Sequence, residues 1–113
     1  MKTKTALLLL AVCAAVVGLA VTAPPVYPGA KPVDELNNAA KKAGQDTMAY
    51  NTQDSFEKVY EFYKSKGTDV EKAHRVSARE KFAMVKFNES GYAVVISWKE
   101  DSKSKGTIIH IAK

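Results

Sequence analysis

Asp54-Ser55-Phe56-Glu57-Lys58-Val59-Tyr60-Glu61-Phe62-Tyr63-Lys64-Ser65-Lys66-Gly67 is the stretch on which the fold turns. Phe56, Val59, Tyr60 and Tyr63 recur at the spacing of one helix face, with Lys58, Glu61 and Lys64 on the other side. Asp54 stands where an N-cap belongs, and Glu57 follows it at the distance of a capping box. Lys64 and Lys66 suit the negative end of the helix, and Gly67 offers a stop. The spacing predicts an amphipathic helix over Asp54–Lys66 whose ring-bearing face must lie on an apolar surface.

The C-terminal half supplies that surface. Lys81–Phe87 reads as a strand, Asn88-Glu89-Ser90-Gly91 as a turn and Tyr92–Lys99 as a second strand. Alternation puts Tyr92, Val94, Ile96 and Trp98 on one face and Ala93, Val95, Ser97 and Lys99 on the other. A polar connection, Asp101–Gly106, leads to a third strand over Thr107–Ala112. Val70–Ser77 is an edge-strand candidate, because Lys72, His74 and Arg75 would guard a sheet edge. The fold class that follows is α+β, an antiparallel β meander covered on one face by an amphipathic helix, after an N-terminal signal peptide.

Upstream of the helix, Thr47–Asn51 alternates weakly and reads as a strand. A shorter helix is expected from Asp34, as cap, to Ala43, with Gly44 as its stop. All 4 prolines of the chain lie between Pro24 and Pro32, which predicts an extended arm or linker over residues 24–33. Residues 34–113 then form a single α+β domain.

The first 23 residues read as an address. Lys2 and Lys4 precede an uncharged Leu- and Ala-rich run from Ala6 to Ala23, the n-region and h-region of a signal peptide. Cleavage is expected after Ala20 or Ala23, and a proline at position 24 counts against the second. The run is 18 residues long, so an uncleaved anchor is the competing reading. The expected localisation is secreted or periplasmic. The only cysteine, Cys13, lies inside this segment as a small hydrophobe, which leaves the processed chain without a disulfide or a Cys-based metal site.

Tyr27-Pro28-Gly29-Ala30, followed by Tyr50-Asn51-Thr52-Gln53-Asp54-Ser55-Phe56-Glu57-Lys58-Val59, resembles a family of short exported bacterial proteins. In that family a Tyr-Pro-Gly-Ala arm precedes a Thr-x-Asp-Ser helix start, an aromatic helix end and a β meander. The similarity spans most of residues 26–112. The resemblance implies export and an α+β fold, and it transfers no catalytic or binding residue.

Motif chemistry is sparse. His74 and His110 are the only histidines, and a site using both would need an edge strand and the last strand to bring them together. His110 alternates out of register with Ile109 and Ile111, which predicts a partly exposed sheet histidine. No His-x-x-x-His or Asp-x-Asp-x-Asp pattern occurs, so no metal or cofactor is expected. No serine sits in a Gly-x-Ser-x-Gly elbow, and no phosphate-cradling glycine loop is present.

Charge is more informative. The whole chain carries 17 basic and 12 acidic residues, and removal of Lys2 and Lys4 leaves a net charge of +3. All of that excess falls in Thr68–Lys113. Lys99, Lys103 and Lys105, around the last hairpin, are the candidate contacts for an anionic partner. The aromatic residues are expected to form the core between helix and sheet, with Phe62 off the main stripe and a candidate neighbour of the arm. The function expected is non-enzymatic binding of a ligand or protein in the cell envelope. A small hydrolase assembled from tertiary contacts and an accessory subunit of an envelope complex are the alternatives. Nucleic acid is not an expected partner of an exported chain, and membrane contact is expected only through an uncleaved N-terminal segment.

Overall fold

The computed structural model describes residues 24–102 and 105–113; the expected signal peptide and Lys103 lie outside the described residues. In chain order the elements are β1 (Lys31–Pro32), α1 (Asp34–Lys42), β2 (Thr47–Thr52), α2 (Phe56–Lys64) and β3 (Thr68–Asp69). A single 3₁₀ turn (Glu71–Ala73) leads to β4 (Arg75–Val76), β5 (Glu80–Phe87), β6 (Tyr92–Lys99) and β7 (Thr107–Ala112). The fold is α+β, a 7-stranded antiparallel sheet ordered β1-β2-β7-β6-β5-β3, with β4 also on the outer edge of β5.

β5, β6 and β7 form the expected meander, and β2 lies between β7 and the short β1. Two kinds of row run across the sheet. Tyr50, Ile109, Ile96 and Ala83 are register partners on one face, and Ala49, His110, Val95 and Met84 on the other. α2 lies on the first face. Phe56, Val59, Tyr60 and Tyr63 are all buried there against Ala83, Val85, Val94, Ile96, Ile109 and Ile111. A helix of 9 residues is too short to persist alone in water, so its stability comes from this burial. Each large apolar side chain withdrawn from water contributes about 1.5–3 kcal/mol relative to exposure.

Both sheet edges are closed. On the β2 side, β1 pairs with Tyr50 and Asn51, and the Val33 amide donates to the Ala49 carbonyl at 2.9 Å. The Asn37 side chain of α1 continues that edge: its amide donates to the Ala49 carbonyl at 3.2 Å, and its oxygen accepts from the Ala49 N–H at 2.6 Å. α1 thus reaches the sheet through a side-chain amide standing in for a strand. The β5 side is covered by the two-residue strands β3 and β4, which limits pairing with other chains.

Four expectations need correction. Ser55, not Asp54, caps α2: its hydroxyl accepts from the Lys58 N–H at 3.2 Å, because Asp54 is occupied by the Tyr27 hydroxyl at 2.5 Å. Asp34 does not cap α1 either; Val33 holds that position without a side-chain bond, and Asp34 is the first helical residue. Val70–Ser77 is not one strand, since the 3₁₀ turn consumes its first half and only Arg75–Val76 pairs with β5. The proline-rich arm is no free linker. Pro24 and Tyr27 are buried, the Tyr63 hydroxyl donates to the Pro25 carbonyl at 2.8 Å, and Tyr27 meets Phe62 edge-on at 5.1 Å. Phe62 therefore faces the arm, and Tyr27 is a core residue contributed by it.

Two glycines answer to close approach. Gly106 has φ +92°, and a Cβ there would strike the Thr52 carbonyl oxygen. Gly67 has an ordinary φ, and a Cβ would come within 2.7 Å of Val85 Cγ1 and 2.8 Å of the Lys86 carbonyl. Gly67 thus lets the chain leaving α2 press onto β5, a different task from ending the helix.

Candidate functional site

The structure separates the residues that sequence grouped. Lys99 ends β6 beside Arg79, Glu80, Glu100 and Asp101, around a recess of about 420 Å³. Three carboxylates against two cations make that recess mixed rather than basic. Lys105 is exposed, and its carbonyl accepts from the Asn51 and Gln53 side-chain amides at 3.0 and 3.3 Å. Lys103 lies outside the described residues, so the three-lysine patch is visible only at its two ends.

His74 and His110 are not brought together. His74 lies on the α2 side, its ring 4.8 Å from Tyr60 and 6.5 Å from Phe56. His110 projects from the opposite face, in the row with Ala49, Val95 and Met84. A site using both histidines has no geometric basis here. Near His74, the Oδ1 oxygen of Asp69 is buried without a hydrogen-bond partner. Burial and then the Asp69 carboxylate push the Tyr60 hydroxyl up to about 12. Among the described residues no group of three His, Cys, Asp or Glu is arranged to hold a metal ion.

The face opposite α2 is the feature that sequence reasoning missed. Register places Phe82, Met84, Val95, Ile108, Ala93 and Ala112 there, all half-buried. α1 reaches this face at the β2 side, where Ala49 is buried and Leu36 stands by Ile108, and no helix lies across the rest. The charged strand residues that share this face are Lys31, Arg75, Lys86 and Lys99 against Glu80 alone. The middle is thus mainly apolar, interrupted by Ser97 and His110, and the strand-borne margin has an excess of cations, with Glu80 opposite Lys99. The signal was present in the alternation of β6 and β7. What sequence could not show was that α1 would sit over the β2 side, burying Ala49, and leave the rest of the face open.

One recess cuts into this face. It has a volume of about 220 Å³ and lies between Leu36 of α1 and Ser97, Lys99, Ile108 and His110 of the sheet. Leu36, the largest aliphatic side chain of its helix, is 43% exposed at the rim of this recess. Burial lowers the His110 pKa below the usual 6.5, so the imidazole is neutral near pH 7. A second hollow, of about 480 Å³, lies on the other side at the end of α2 between Pro24, Lys66, Gly67 and Lys86, and is lined mainly by polar atoms.

Comparison with family models, with curated proteins and with solved structures finds no match to this chain. Among the described residues no helix is long and apolar enough to cross a membrane. The functional reading therefore rests on the residues and geometry above.

Proposed function

We propose that this chain is an exported, non-enzymatic domain of the cell envelope that binds an anionic amphiphile on the sheet face opposite α2. Export is supported by the two lysines and apolar run that open the sequence. The observation that carries the binding reading is the composition of the largely uncovered face: a mainly apolar middle with Phe82, Met84, Val95 and Ile108, inside a margin whose described strand residues are four cations and one carboxylate. An apolar tail would gain from displacing water over the middle, and an anionic head would gain from the margin. The apolar side chains are half-buried, whereas Lys31, Arg75, Lys86 and Lys99 are exposed. Half-buried apolar side chains suit a single molecule in solution better than a bilayer, into which apolar groups must insert.

Isothermal titration of the protein beginning at Pro24 with octanoate, below micelle-forming concentration, tests this. Octanoate should bind, octyltrimethylammonium should not, and octanoate affinity should fall as salt rises. Equal binding of both amphiphiles, or affinity indifferent to ionic strength, would remove the cationic margin from the account.

A further inference from the structure

We infer that the recess between α1 and the sheet is the head-group seat for the amphiphile, with Lys99 and His110 holding the anion and Leu36 and Ile108 taking the first part of its tail. This rests on the reading of the open face given above and locates the ligand within it. Lys99 and His110 line the same small hollow, and Ser97 adds a hydroxyl donor between them. Among the residues lining it, Lys99 and His110 are the titratable ones, and both are basic. From the elements packed around His110, β6 presents uncharged Val95 and Ser97, β2 presents Ala49 and α1 presents Leu36. No carboxylate stands among these described neighbours of His110. On the Lys99 side Glu80 is the register partner and Glu100 and Asp101 line the adjoining recess, so a bound anion competes with them for Lys99.

Size narrows the ligand. At about 220 Å³ the hollow falls below the roughly 300–1,000 Å³ of pockets for drug-sized molecules. It accepts a carboxylate, sulfate or phosphate monoester group and a few methylenes, and the rest of a tail must run out over Val95 and Met84 along the open face. Leu36 lies exposed at the rim, so it can close over the first methylenes without rearrangement of the helix.

His110 makes the seat sensitive to pH. It is half-buried among apolar neighbours and loses ionisation to that burial. An anion beside it reverses the balance, so ligand binding must raise its pKa and acid must strengthen binding by the same linkage. Octyl sulfate is the useful probe, because its head stays ionised throughout the window.

The experiment follows the His110 ring signal by NMR in the protein beginning at Pro24, from about pH 7.5 to 5.5, with and without octyl sulfate. The pKa of His110 should rise on binding, affinity should increase toward acid, and His110→Phe should abolish the pH dependence while retaining tail contacts. Lys99→Gln should weaken binding about two- to fivefold, the scale of an exposed ion pair. Lys105→Gln, which lies outside the hollow, should not. Binding that shifts Met84 and Val95 signals but leaves the His110 pKa unchanged would overturn the seat and leave the open-face reading intact. No binding to either octyl sulfate or octanoate would overturn both. Vesicles of phosphatidylglycerol supply the same head chemistry from a bilayer; binding to them with none to the soluble probes would also overturn the seat.

Discussion

At the scale of single residues, a small polar joint ties the sheet to the start of α2. Thr52 and Thr107 are buried cross-strand partners. The Thr107 hydroxyl donates to the Asp54 carbonyl at 2.8 Å, and the Thr52 hydroxyl accepts from the Asp54 N–H at 3.2 Å. Gly106 packs on the Thr52 carbonyl from the other side. Gly106→Ala must pay both the positive-φ penalty and an overlap with backbone that cannot yield. It should destabilise by about 3 kcal/mol or more. Gly44→Ala, also at positive φ but facing open space, should lose only about 1–2 kcal/mol. Urea unfolding of the two variants checks the contrast, and equal losses would deny the close approach. Tyr27→Phe removes the hydroxyl that donates to Asp54, and the arm should loosen at a loss of about 1–2 kcal/mol. Nothing local in the sequence marks Tyr27 as a core residue, since its partners Asp54 and Phe62 lie far along the chain.

At the scale of elements, α2 was the most legible part, because one periodic face and one buried face coincide at Phe56, Val59, Tyr60 and Tyr63. β6 and β7 match the expected spans for the same reason, strict alternation against a covered face. Caps were misread because Asp54 and Ser55 are equally good oxygen acceptors, and the distant Tyr27 decides between them. Ser55→Ala should therefore cost about 1 kcal/mol in the same unfolding assay. A second expectation concerns alkali. Burial pushes the hydroxyls of Tyr60 and Tyr63 up to about 12 from 10.0. A raised folded-state pKa means the unfolded chain releases its protons first. The stability contributed by these two side chains is full below pH 10 and is lost as pH rises toward about 12. A tyrosinate absorbance titration should show these two ionising late, together with unfolding; normal ionisation with the fold intact would place them outside the core.

At the scale of the whole molecule, the sheet has one face sealed by α2 and the arm, two edges closed by short strands and the Asn37 amide, and one face left open beyond the β2 side that α1 covers. Sequence could assign each strand residue to a face, but not say which face would stay uncovered. That depends on Asn37 anchoring α1 at the β2 edge, a contact between residues 12 apart with no periodic signature. The charged candidates suffered likewise: Lys99 belongs to the open face, while its neighbours Glu100 and Asp101 dilute the patch around the hairpin. Acid should expose the other side of the balance. His110, its pKa depressed by burial, supports stability above its usual 6.5, and that support is lost as pH falls through and below this value. His110→Phe should flatten the stability profile across that window.

The most direct test of the account is an amide and methyl NMR titration of the protein beginning at Pro24 with octanoate, read separately for the two sheet faces. Met84, Val95 and Ile108 should shift with saturation, while Val59, Val85 and Ile109 stay still. Shifts centred on the α2 side, or spread evenly over both faces, would contradict it.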